Sequence, residues 1–146
     1  MEFLVQPTGT FNWGPLTLGS GAALSGTGTF GSAVVNGGEV QPGASPGRLV
    51  INGDFTQTNS GKLVIELAGA EAGVTFDQLE VNGSAQLAGS LSVVRGSGYT
   101  PASGSVFRVV RATGLTGTFG TLTGLTLGEV TLQPGYTPEA MDLTAP

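Results

Sequence analysis

The chain has 146 residues, enough for one domain that buries a core without disulfide staples. Charged residues are only 10% of it, against about 25% in an ordinary globular protein, and it carries 26 Gly, no Cys, no His and a net charge of −5. These values exclude a disulfide framework, a thiolate metal site, the His-dependent hydrolytic triads and a basic phosphate-binding surface. With 39% hydrophobic residues in regular alternation, the reading is an all-β protein with many tight turns rather than a disordered tract.

The N-terminal "MEFLVQPTGTFNWGPLTL" is apolar and aromatic, with Phe3, Phe11 and Trp13 and no basic residue. Its first five residues are too few for a signal peptide, and no stretch approaches the ~20 apolar residues of a membrane span. The composition favours a mature or excised piece of something larger over a cytoplasmic protein.

"LTLGSGAALSGTGTF" (Leu16–Phe30) can be laid over "LEVNGSAQLAGSLSV" (Leu79–Val93) without a gap, so that Leu16 and Leu18 fall on Leu79 and Val81 and Leu24 on Leu87. "VVNGGEV" (Val34–Val40) reads as a truncated copy. "GRLVINGDFTQTNSGKLVIEL" (Gly47–Leu67) is a third copy, with Leu49, Ile51, Asn52 and Gly53 matching Leu79, Val81, Asn82 and Gly83, and Leu63 and Ile65 matching Leu91 and Val93. Each phrase is a short alternating strand with one buried face, an Asn-Gly expected to supply positive φ, and a second strand. Asn-Gly is also a hairpin signal, which would fold each phrase on itself into an antiparallel meander or sandwich. Repetition at roughly 15 or 30 residues favours the alternative, a β-solenoid whose stacked copies bury one continuous core. In that reading Leu16, Leu18, Leu49, Ile51, Leu63, Ile65, Leu79, Val81, Leu91 and Val93 point inward, and strands of successive phrases run parallel.

The chain departs from the phrase after Arg95, so residues 1–95 are read as repeat rungs and 96–146 as C-terminal strands and a cap. A long turn (Gly96–Gly104) precedes a strand at Val106–Arg111, with Phe107 and Val109 on one face and Arg108 on the other. "LTLGEVTL" (Leu125–Leu132) alternates, "QPGYTP" turns, and "AMDL" makes a last short strand. Glu129 and Asp142 suit a cap that discourages further pairing.

"SPGRLVINGDFTQTNSGKLVIELAGAEAGVTFDQLEVNGSAQLAGSLSVV", followed by "GYTPASGSVFRVVRATGLTGTFG", resembles the repeat segments of bacterial autotransporter passenger domains and related β-helical surface proteins. The matching positions are Ser45–Gly47, Leu49–Gln57, Gly61–Leu67 and Asp77–Leu91. The resemblance implies a right-handed parallel β-helix, export, and a stalk or display role at a cell surface, with no catalytic residues. The membrane-barrel half of an autotransporter has no counterpart in this chain.

Carboxylate pairs could serve polysaccharide cleavage, and Asp54, Glu66, Asp77 and Glu80 are the candidates. Asp54 and Asp77 stand at strand ends, where Asp bonds nearby amides, and Glu66 and Glu80 occupy outward positions. Turn carboxylates can also converge on calcium, but no "GGxGxD" run is present. Thr27/Thr29, Thr56/Thr58, Thr116/Thr118 and Thr121/Thr123 do not recur at one rung position, against an ice-binding array. Phe11, Trp13, Tyr99, Phe119 and Tyr136 are the aromatics that could stack on a glycan. The sequence therefore assigns no catalytic, cofactor-binding or metal-ligating residue. It points to a non-enzymatic structural or adhesion module of a secreted or cell-surface bacterial protein. The alternatives are a self-assembling subunit of a filament, surface layer or virion, and a carbohydrate-binding or polysaccharide-active β-helix. Expected partners are other protein chains or the rest of a longer chain at the N-terminal end, a further copy in a homo-oligomer, or a glycan, with no nucleic acid and no membrane span.

Overall fold

Leucine- and β-branched-rich stretches with a period of two form short strands, and the glycines between them let the chain turn sharply. The computed structural model describes residues 2–5, 10–11, 14–43 and 46–146, the first two segments by their backbone alone. The fold is all-β, with several sheets, and most of the pairing is parallel. Strands β1 (Glu2–Val5), β4 (Ala23–Gly26), β7 (Glu39–Pro42), β10 (Lys62–Leu67), β12 (Ser90–Arg95) and β14 (Thr121–Thr123) form a six-stranded sheet in that order, parallel throughout. A second row runs through β2 (Thr10–Phe11), β5 (Gly28–Phe30), β8 (Arg48–Ile51), β11 (Gln78–Leu87) and β13 (Val106–Gly117), again parallel. A third links β3 (Leu16–Leu18), β6 (Val34–Asn36) and β9 (Phe55–Gln57) to the later half of β11. β11 and β13 are long enough to serve both rows, and their register shifts between Val81 and Ser84, at Asn82–Gly83.

The copies predicted to stack do so. Leu49 lies beside Leu79 and Ile51 beside Val81, while Leu63 and Ile65 lie beside Leu91 and Val93. Leu49, Ile51, Leu63, Ile65, Leu79 and Leu91 are fully buried, and Val81 and Val93 nearly so. These phrases pair across to one another and do not close into hairpins. Column after column continues: Phe30, Ile51, Val81 and Ala112 form one, Leu24, Val40, Leu63, Leu91 and Leu122 another.

Four expectations are corrected. Leu16–Leu18 aligns in space with Val34–Asn36, Phe55–Gln57 and the later half of β11, not with Leu79–Val81, and Leu16 is only half-buried. The "VVNGGEV" copy is likewise shifted, because successive partners in a column are unequally spaced: Leu24 to Val40 is far shorter than Leu63 to Leu91. Gly37, Gly53 and Gly83 do not adopt positive φ. They are glycines for lack of room, since a Cβ would sit 2.9 Å from Leu18 O at Gly37, 2.7 Å from Ala33 N at Gly53 and 2.6 Å from Gly53 O at Gly83. Finally, "QPGYT" is a strand, not a turn.

Parallel partners continue past Arg95 as far as Thr123. Beyond it the chain turns antiparallel. β15 (Thr126–Leu127) pairs with β16 (Val130–Thr131), and β17 (Gln133–Thr137) forms a hairpin with β18 (Ala140–Thr144), which lies antiparallel on β13. Arg108 holds Asp142 through both carboxylate oxygens at 2.9 and 3.1 Å, pinning this hairpin. Met141 and Leu143 carry the core to this end.

Candidate functional site

The four candidate carboxylates occupy places that serve the stacking. Asp54 Oδ1 accepts the Ser84 N–H at 2.9 Å, one repeat further on. Glu80 is half-buried and lies 3.6 Å from Arg111, its in-register neighbour. Glu66 and Asp77 are brought together at the base of the excursion between β10 and β11, where Leu67 and Phe76 bridge antiparallel. Asp77 is 1% exposed. Its Oδ2 accepts the Glu66 N–H at 2.9 Å and its Oδ1 the Gly47 N–H at 2.8 Å, while its own N–H donates to Glu66 O at 2.9 Å. Burial pushes the Asp77 carboxyl up to about 6, against the two amides that hold it down, and the neighbouring Glu66 adds to the rise. With both oxygens taken by the main chain, Asp77 clamps three segments.

A second buried polar group escaped the sequence reading. Asn36 and Gln57 face inward with 0% and 1% exposure, adjacent in register. Asn36 Nδ2 donates to Gln57 Oε1 at 3.0 Å and to Lys62 O at 3.1 Å, and Asn36 Oδ1 accepts the Gly38 N–H at 3.0 Å. Gln57 Nε2 donates onward to Ala88 O and Ser90 O at 2.9 and 3.0 Å. The two amides thus tie together three successive repeats, and every buried side-chain polar atom described has a partner. The signal available in the sequence was a polar residue at an inward position of an alternating strand, in Val34-x-Asn36 and Phe55-x-Gln57. A third such group is Gln78, which accepts from Arg48 Nε at 2.8 Å and donates to Arg108 O at 2.9 Å.

Open depressions mark the surface of the described residues, among them two formed by strand neighbours. One, of about 350 Å³, is lined by Glu80, Asn82, Arg111, Thr113 and Glu139. The other, about 340 Å³, lies over the Gly37–Gly38 corner with Glu39, Ser60 and Lys62. Among the described residues no three His, Cys, Asp or Glu side chains gather where they could hold a metal ion, and no helix is long and apolar enough to cross a membrane. Of the aromatics, Phe119 is buried and its N–H donates to the Tyr136 hydroxyl at 3.1 Å, while Tyr99 packs edge-on against Phe107 at 6.2 Å. Trp13 lies outside the described residues, as do the side chains of Phe3 and Phe11. Thr17, Thr56 and Thr116 share one outward column, interrupted by Val35 and Gln86. Among the described residues β1, β2 and β3 each have a strand partner on one side only. No protein-family model matches the chain, and no curated protein does.

Proposed function

We propose that the chain is a scaffold: a module of a right-handed parallel β-helix acting as a stalk or display element of a secreted or cell-surface bacterial protein, without enzymatic activity. The observation that carries this reading is the in-register parallel stacking of like positions, Leu49 on Leu79 and Leu63 on Leu91. In a coil of this kind each repeat satisfies the backbone of the one before it, so length is gained by adding rungs and the outer surface is free to vary. The three rows of strands are then three faces of one coil, with Asn36–Gly37 and Asn52–Gly53 at two of its corners. The buried amides and the Asp77 clamp fit the same role, since they fix register between coils rather than meet a ligand.

The single-sided pairing of β1, β2 and β3 favours a companion reading, in which the N-terminal end stacks on another strand set, either a preceding part of a longer chain or a neighbouring copy. Sedimentation velocity over a wide concentration range, paired with electron microscopy of the purified protein, tests both. A narrow rod, extending end to end as concentration rises, is expected. A compact particle with a polysaccharide-cleaving activity lost on Glu80→Gln would overturn the scaffold reading.

A further inference from the structure

The three Asn-Gly pairs stand in three different environments. At Asn36–Gly37 the side-chain amide is buried and held by three hydrogen bonds, and the Gly37 N–H is committed to Leu18 O at 2.7 Å. Asn82–Gly83 lies inside β11. Asn52–Gly53 is outside any strand, Asn52 is exposed, and the Gly53 N–H has no hydrogen bond among the described residues. In addition, Asn82 Nδ2 donates to Asn52 Oδ1 at 2.7 Å, a repeat away.

From this geometry we infer that Asn52–Gly53 is a self-modification site, at which the chain deamidates through a succinimide with the stacked Asn82 amide assisting. The Gly53 nitrogen attacks Asn52 Cγ, and the new C–N bond closes a five-membered ring. The Cγ–Nδ2 bond breaks, and Nδ2 leaves as ammonia with the proton lost from Gly53 N. Water then opens the ring at either carbonyl, giving aspartate or isoaspartate at position 52. The requirements are a free backbone N–H, a side-chain nitrogen that no acceptor holds, and a polarised carbonyl. The hydrogen bond from Asn82 to Oδ1 supplies the last, because it stabilises negative charge developing on that oxygen as the nitrogen adds. Asn36 meets only the last, through the Gly38 N–H on its Oδ1, and fails the other two. Asn82 has its Nδ2 tied to Asn52, and among the described residues no donor polarises its Oδ1.

The consequence is a slow, irreversible change at one corner of the stack. The aspartate product adds a negative charge beside Asn82 and keeps the acceptor. The isoaspartate product lengthens the main chain next to Gly53, whose backbone already packs against Ala33 and Gly83 with no space for a Cβ.

The test is peptide mapping by mass spectrometry of the native protein incubated at mildly alkaline pH, with isoaspartate scored separately, beside the same protein in denaturant. In the folded protein Asn52 is expected to convert several-fold faster than Asn82, with Asn36 intact, and the three are expected to converge when unfolded. The variant Asn82→Ala, a change at an exposed position, should slow Asn52 several-fold in the folded state and leave its rate in denaturant unchanged. Conversion of folded Asn36 at the rate of Asn52, or an Asn52 rate untouched by Asn82→Ala, would overturn the assignment.

Discussion

Replacing Gln57 by Leu keeps the side chain about the same size and removes three hydrogen bonds: the one accepted from Asn36 and the two donated to Ala88 O and Ser90 O. At about 1 kcal/mol each, with the partly exposed Ala88 and Ser90 carbonyls recovering some water, Gln57→Leu should cost about 2–4 kcal/mol. Asn36→Leu also removes three, to Gln57, Lys62 O and the Gly38 N–H, and should cost a similar amount. Each single variant counts the shared Asn36–Gln57 bond and leaves the other amide with an unmet group inside the core. The double variant removes both amides and extends an apolar column from the buried Leu18. It should therefore be less destabilised than the sum of the singles by about 1–2 kcal/mol. Urea unfolding followed by circular dichroism, with the four proteins forming a double-mutant cycle, measures this. Singles costing under about 0.5 kcal/mol, or a cycle additive within that margin, would refute the claim that these two amides are one coupled unit.

The Asp77 clamp predicts a pH dependence with a definite sign. Its folded value of about 6 exceeds the ordinary 3.8, so the folded state holds the proton more tightly. The stability it lends is complete below about pH 4 and is lost as pH rises to about 6, a change of at most ~3 kcal/mol. Thermal melts of wild type should decline across that window, and Asp77→Asn should flatten the decline while costing ~1–3 kcal/mol for the amide N–H left without an acceptor; an unchanged profile in the variant would contradict the assignment. Gly89 and Gly98 both have positive φ, +68° and +69°, but a Cβ at Gly89 would meet the Gly61 carbonyl and sit 2.6 Å from Thr58 O, whereas Gly98 has open space. Gly98→Ala should cost about 1 kcal/mol and Gly89→Ala at least twice that in the same urea assay, and equal costs would show that crowding between repeats is not why Gly89 is glycine.

How much of this was legible follows from what each signal depends on. Alternation and repeat matching found the columns of Leu49 with Leu79 and Leu63 with Leu91, because there the repeat lengths are nearly equal and a gapless alignment is also the spatial one. The same method misplaced Leu16–Leu18, since the N-terminal repeats are shorter and likeness of residues no longer reports which strand lies alongside. The Asn-Gly pairs were visible, but their reason was not. Positive φ is a local property readable from residue type, whereas the closeness of Gly53 to Ala33 depends on a neighbouring strand. Asp77 was recognised as an amide-bonding Asp, while its depth of burial and its second partner at Gly47 required the fold.

The central claim is that like positions of successive phrases lie side by side in parallel. Thr56 and Gln86 are such a pair, in register on adjacent strands with their side chains outward. Parallel neighbours are about 4.8 Å apart, within the reach of a disulfide, and the chain has no cysteine of its own. The double variant Thr56→Cys, Gln86→Cys should form an intramolecular disulfide under mild oxidation, read as a reducible shift in migration and a linked peptide. The double variant Val50→Cys, Phe55→Cys, whose positions would face each other if the phrase folded back on itself in a two-residue turn at Asn52–Gly53, should remain reduced. Ready closure of the second pair with failure of the first would contradict the stacked architecture and everything built on it.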